Sequence, residues 1–336
     1  MNKRSPIWWM PLLLVFLFAA GLFSGPARLE WDAEWSALTG SGEETARIIM
    51  LQLRLPRLAM AVMAGAALGL SGLIMQTFFR NPLAGPSVLG VTSGSTLGVA
   101  LVALGGATLG WAPEEFGMAP QVMGALMGSA AVMIMLALVM GRFRSRTALL
   151  IFGLMVGYLA GAAVTVLQAG ADAGALQAFV HWGMGSFAHG GWVACGAVAL
   201  ALMPVAWWSF TSGSRLDMWT MGAVTARTMG VDEKGLTWRM LGAAGILAGL
   251  VTAWCGPVAF LGLATPHLVR AAAPHRRHRS MLWPVLLTGS ILALLADSIV
   301  RMLGIPLNAV LSLIGAPVVL LLIVGKRRNR SGFVSS

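Results

Sequence analysis

Charge is what this sequence has least of: 12 acidic and 23 basic residues in 336, a tenth of the chain. A soluble domain carries about a quarter charged residues, so a water-facing globular surface is excluded. Cysteine is scarcer still, Cys195 and Cys255 alone, each inside an apolar run. Two such residues form neither a disulfide framework nor a metal-ligand spacing, and both are expected as buried small hydrophobes. No G-x-x-x-x-G-K-S/T phosphate loop occurs, which excludes ATP hydrolysis by this chain. His181 and His189 read as lone solvated histidines, with contact to a substrate the lesser alternative, and His275 and His278 sit among Arg276, Arg277 and Arg279 in what reads as a solvated basic loop. Neither catalytic residues nor a metal site are expected.

What is present is apolar. Hydrophobic residues make up 57% of the chain and mean hydropathy is +0.80. That composition describes a polytopic membrane protein. Apolar runs place spans near 7–25, 58–79, 88–109, 119–140, 147–169, 190–210, 237–255, 282–301 and 305–325, each near the roughly 20 residues a bilayer crossing needs. The first is read as an uncleaved span. A tenth, shorter segment near 258–269 is required by charge parity. With ten crossings and both termini inside, the cluster at 276–279 joins Lys3, Arg4 and Lys326 on the cytoplasmic side, as the positive-inside rule demands. The net charge of +11 therefore marks inner loops. No basic face with interleaved aromatics suggests nucleic acid.

Glycines recur four apart, as in Gly65/Gly69, Gly94/Gly98, Gly124/Gly128 and Gly153/Gly157/Gly161. Small residues at that spacing let helix backbones approach closely in lipid. Asp297, late in an apolar run, lies four residues before Arg301, the spacing of a helical ion pair in which each neutralises the other. Gly-Pro recurs in GPSVLGVTS at 85–93 and GPVAFLGLAT at 256–265, on opposite sides of the membrane in this topology, as an inverted repeat would place them. Between Arg215 and Gly235 lies the longest inner connection. There Asp217 is expected to cap one short helix running through Met229 and ended by Gly230, displaying Met218, Trp219 and Met221.

Several of these stretches carry a family pattern: RLPR at 54–57, GAALGLSGLIMQ at 65–76, RNPLAGPSVLGVTSG at 80–94, WGMGSF at 182–187, ARTMGV at 226–231, GPVAFLGLATPHLVR at 256–270, LADSIVR at 295–301 and LIGAPVVLLLI at 313–323. In this the chain resembles the FecCD/BtuC-like permeases, membrane subunits of ABC importers for ferric siderophores, haem and vitamin B12. Asn308, where that family usually has glycine, departs from the pattern.

The resemblance implies an all-α, BtuC-like transmembrane domain over 1–336 with about ten spans, a family-like core near 53–325 and a cytoplasmic coupling segment near 215–235. It implies a homodimer in the inner membrane with both termini cytoplasmic, a soluble binding protein outside, and two ATP-binding subunits that hold ATP and Mg. This chain itself would bind no cofactor. Siderophore-bound iron leads as cargo, with haem and cobalamin open. By resemblance, Arg54, Arg57 and Arg301 dock acidic groups of the binding protein, although the residues alone equally allow arginines snorkelling at a span end. Met218, Gly222, Ala223, Ala226, Arg227, Met229 and Gly230 form a knob for the ATPase, against the bland alternative of an amphipathic helix on the membrane surface. Gly153, Gly157, Tyr158, Gly161 and Thr165 border the translocation pathway, where plain packing is the alternative for the glycines. The rival class is a stand-alone transporter or channel driven by an ion gradient. It needs acidic coupling residues at mid-membrane, and Asp297 is a single candidate.

Overall fold

In the computed structural model, which describes residues 8–25, 29–108, 118–143, 146–273 and 277–331, every regular element among the described residues is helical. His275, Arg276, Lys3 and Arg4 lie outside them. The chain opens with α1 (Met10–Phe23), α2 (Trp31–Thr39) and α3 (Glu44–Ile48). A π-helical stretch, Ile49–Arg54, leads without interruption into α4 (Leu55–Phe79). The change of winding falls just before Pro56, whose missing N–H is tolerated in a first helical turn. Arg80 ends α4 in the left-handed conformation, φ 49°, donating its N–H to Thr77.

The chain then turns back into the bundle. Ala84, Gly85, Pro86 and Leu89 are buried, and a 3-10 turn at Pro86–Leu89 delivers α5 (Val91–Thr108). The connection between α4 and α5 is thus interior from Ala84 to Pro86 and at Leu89 and Gly90, while Pro82, Leu83 and Ser87 are exposed. After α6 (Ala119–Met140), α7 (Arg146–Ala169), α8 (Ala173–Gly183) and α9 (Gly191–Thr211) come two short helices, α10 (Gly213–Thr220) and α11 (Ala223–Thr228). Then follow α12 (Glu233–Cys255), α13 (Leu261–Ala272), α14 (His278–Leu303) and α15 (Leu307–Ser331).

Six helical stretches are long and apolar enough to cross a membrane, the longest being Glu44–Phe79, and three shorter apolar helices accompany them. With α13 they match the expected segments. At 12 residues α13 is about 18 Å long, too short for a hydrocarbon core of ~30 Å. It is preceded at 256–259 by irregular backbone, with Gly256 at φ 74° and Leu261 N–H donating to Ala259 O at 2.7 Å.

Helix α4 is the hub, buried over most of its length and packed by α14, α12, α13 and α9. Its antiparallel contact with α14 closes at Gly65 and Gly289, where a Cβ on either residue would collide with the other's carbonyl. Pairing of α5 with α6 follows the same logic: a Cβ at Gly124 would lie 2.6 Å from Gly98 O. The two Gly-Pro segments meet inside the bundle, Gly262 lying against Pro86. Most of α7 and α9 faces outward, as lipid-facing or partner-facing spans do.

Candidate functional site

At the end of the bundle that the charge pattern assigns to the outside, three arginines are drawn inward. Asp297, 1% exposed, accepts a hydrogen bond from Arg57 Nε at Oδ1 (2.8 Å) and forms an ion pair through Oδ2 with Arg301 Nε (2.9 Å). The expected i,i+4 pair exists; Arg57, 240 positions away, is the member sequence spacing had no means to reveal. Arg301 also donates to Gly21 O at 2.6 Å and to Ser24 O, fastening the end of α1. Arg54 is 8% exposed, paired with buried Glu34 at 2.6 Å and donating to Leu22 O at 2.9 Å. Arg54 and Arg301 thus tie the structure together, and leaving their carboxylates would strand buried ions. Arg57 retains a partly exposed guanidinium.

Arg57 and Arg301 form one wall of a cavity of about 680 Å³, with His181, Trp182, Met184, Ser186, His189 and Gln121 around it. One carboxylate balances two guanidiniums there, so the wall is positive. Burial, and then the charge of Arg57, push the His189 pKa below its ordinary 6.5, keeping the imidazole neutral. Asn308 holds the rim: its Oδ1 accepts from Ala259 N–H at 3.1 Å, its Nδ2 donates to Gly183 O at 3.0 Å, and its own N–H donates to Met184 O at 3.1 Å. A glycine could make only the last of these bonds. The departure from the family pattern thus carries two side-chain bonds joining α8, α15 and the segment before α13. Helix α8, which the sequence did not announce, is started by Asp172 accepting from Ala175 N–H at 2.9 Å.

At the opposite end, the single helix expected from Asp217 to Met229 is two. Gly222, φ 126°, breaks it, and only α11 is closed at Gly230, φ 82°. Nor does Asp217 cap its own helix. It reaches α14, taking the backbone N–H of His278 at 3.0 Å and lying 2.6 Å from His278 Nδ1. His278 is consequently no solvated loop residue: it is 9% exposed, and its Nε2 is 2.6 Å from Thr77 Oγ1. Trp219, expected on display, is fully buried and donates to Phe78 O at 3.3 Å.

The coupling set divides in the same way. Ala226 is buried and anchors α11, so it offers no contact surface, whereas Met229, Arg227 and Gly230 are exposed and Met218 and Gly222 lie between; Ala223 begins α11. Arg227 pairs with Glu233 across the turn into α12. Met221 and Val224 add exposed apolar surface at 64% and 77%.

On α7 the pathway candidates separate too. A Cβ on Gly153 would lie 3.0 Å from Leu89 backbone, and one on Gly157 would lie 3.2 Å from Ser93 Oγ, so both are packing positions. Tyr158 and Thr165 are exposed, and Gly161 opens onto free space. Among the described residues no group of three or more His, Cys, Asp or Glu side chains is arranged to hold a metal ion. Cys195 and Cys255 are buried and unpaired as thiols.

The sequence matches the model of the FecCD transport family over residues 13–325. It is 33% identical over 336 residues to the hemin transport system permease protein HmuU of Yersinia pestis, covering 98% of each chain. To the vitamin B12 import system permease protein BtuC of Salmonella paratyphi A it is 32% identical over 335 residues, covering 97% of this chain and 98% of that one. Among solved structures, an inward-facing metal-chelate type ABC transporter superposes with a TM-score of 0.82 at 28% identity, covering 95% of this chain and 98% of that chain.

Proposed function

The chain belongs to the FecCD transport family of ABC importer permeases, and we propose that its cargo is an iron chelate, siderophore-bound iron or haem. The importer class rests above all on end-to-end similarity to a hemin permease, 98% of both chains. In this reading two copies enclose the pathway in the inner membrane, with both termini in the cytoplasm. Two ATP-binding subunits, holding ATP and Mg, drive alternating access from the side of α10 and α11, and a soluble binding protein delivers cargo at the other end. The chain itself binds no cofactor.

Several features favour this assignment. Spans poor in charge suit a bulky, weakly held chelate, since ion-coupled transport needs ionisable ligands at mid-membrane. Asp297, the candidate for such a role, is already neutralised by two arginines. The positive wall of Arg57 and Arg301 suits an acidic docking group on the binding protein, with Arg57 as its reachable member. Met221, Val224, Arg227 and Met229 suit a cleft on the ATPase. The bordering face of the pathway is that of Tyr158, Gly161 and Thr165.

The test is reconstitution of the chain in proteoliposomes with the ATPase and binding protein encoded beside it, offering a ferric siderophore, haemin and cyanocobalamin in turn. Uptake of one iron chelate that needs both ATP and the binding protein is expected. Uptake of cyanocobalamin alone would overturn the cargo; uptake on an ion gradient without ATP would overturn the importer.

A further inference from the structure

We infer that His278 is a positioning residue that locks α10 to the α4–α14 pair, so that a push on α11 moves these two spans instead of bending the connection. This rests on the importer reading above. His278 is the first residue of α14, and its ring fills the corner between α10 and the last turn of α4. Asp217 of α10 faces Nδ1 at 2.6 Å and also accepts the backbone N–H of His278 at 3.0 Å. Thr77 of α4 faces Nε2 at 2.6 Å. One imidazole thus links three helices.

Counting protons shows that the link holds in either charge state. An ionised carboxylate carries no proton, so Nδ1 donates to Asp217. Thr77 has one hydroxyl proton, and Leu73 O lies 2.8 Å from its oxygen. If that proton points at Leu73, the imidazole is cationic and donates from Nε2; if it points at the ring, the imidazole is neutral and accepts. Both arrangements span from Asp217 to Thr77, and the cationic one is charge-assisted.

A second attachment lies alongside. Buried Trp219 stacks on Phe78 at 6.2 Å between ring centroids and donates to Phe78 O at 3.3 Å. The indole supplies adhesion, and the directional bonds of His278 fix register, because an apolar face can slide where a buried polar network cannot. Beyond this anchored helix, Gly222 opens the elbow that presents Met221 and Val224.

The experiment measures ATP hydrolysis and chelate uptake in the same proteoliposomes, with haemin, a ferric siderophore and cyanocobalamin as probes. Thr77→Val keeps the side-chain volume and removes one end of the link, and His278→Ala removes its centre. Both are expected to co-purify with the ATPase and hydrolyse ATP within about twofold of wild type, while chelate moved per ATP falls about tenfold, a coupling loss in the usual range. The double variant should be no worse than His278→Ala, since both break one link. His278→Gln, able to reach one partner, should recover part of the loss. Unchanged uptake per ATP in Thr77→Val, or losses that add, would overturn the proposal; should His278→Ala fail to assemble, Thr77→Val decides alone. A wild-type complex that imports none of the probes with ATP would overturn the importer reading and this inference with it, whereas a defect confined to the variants separates the two.

Discussion

At the scale of single residues, the buried ion clusters dominate. Asp297 has no room for solvent and two guanidiniums to balance. Asp297→Asn keeps the shape but leaves both arginines without their counter-charge, so a loss of about 3–5 kcal/mol is expected, read as a large drop in the thermal midpoint in detergent. An unchanged midpoint would mean that water or lipid headgroups already screen the cluster. His189 gives a pH dependence of definite sign. Burial and Arg57 lower its pKa in the folded state below 6.5, so between those values the unfolded chain binds more protons. Its contribution to stability is complete above pH 6.5 and is lost as pH falls toward the folded-state pKa. Melts across that range should show the slope, and His189→Gln should flatten it. Of these residues, the Asp297–Arg301 pair was legible because helical spacing is local. Arg57, Glu34 and His278 were not: their partners lie 240, 20 and 61 positions away, and only the fold brings them together.

At the scale of helices, glycine spacing foretold which spans approach closely but not which partner each would meet. Gly65 meets Gly289 and Gly98 meets Gly124, pairings invisible in a run where every face is apolar. The same uniformity hid α8, since a membrane helix need not alternate polar and apolar faces to declare its orientation, whereas the division of α10 from α11 turns on the backbone conformation of Gly222, φ 126°. The π-helical stretch before Pro56 had a sequence cue in that proline, whereas the inward turn after Arg80 had only glycines and prolines that equally suit a surface loop. Helix α7 separates packing from pathway in a testable way. Gly153→Leu should prevent assembly, because its Cβ would already press on Leu89 backbone. Gly161→Leu meets open space and should assemble at wild-type level, helped by about 1 kcal/mol of helix propensity. If that face borders the pathway, Gly161→Leu should also cut ATP-driven uptake by about tenfold, as obstruction of a transition adds on the order of 1.4 kcal/mol to its barrier. Wild-type uptake would return the face to lipid.

For the whole molecule, α4 and α14 behave as one antiparallel strut. Its outer end is tied by Arg57 to Asp297 and its other end by Thr77 to His278, with glycine contact between. Helix α4, at 25 residues, reaches about 37 Å, enough to join the cavity wall at one end to α10 at the other. On the proposed importer reading, a push passed from α11 across the Gly222 elbow to α10 would reach the far cavity along this strut. The point of delivery makes the last prediction. Val224 is 77% exposed, so Val224→Arg should leave the melting temperature of the isolated chain within the about ±0.5 kcal/mol expected of surface changes. Docked in an apolar cleft, the same arginine would be buried without a partner, at a cost of about 2 kcal/mol or more. Co-purification of the ATPase should then fall about thirtyfold in affinity, while binding-protein affinity at the opposite end is unaltered. Undiminished ATPase binding by Val224→Arg would move the contact to the neighbouring side of the elbow, where Arg227 and Met229 are exposed, and leave Val224 to the membrane surface.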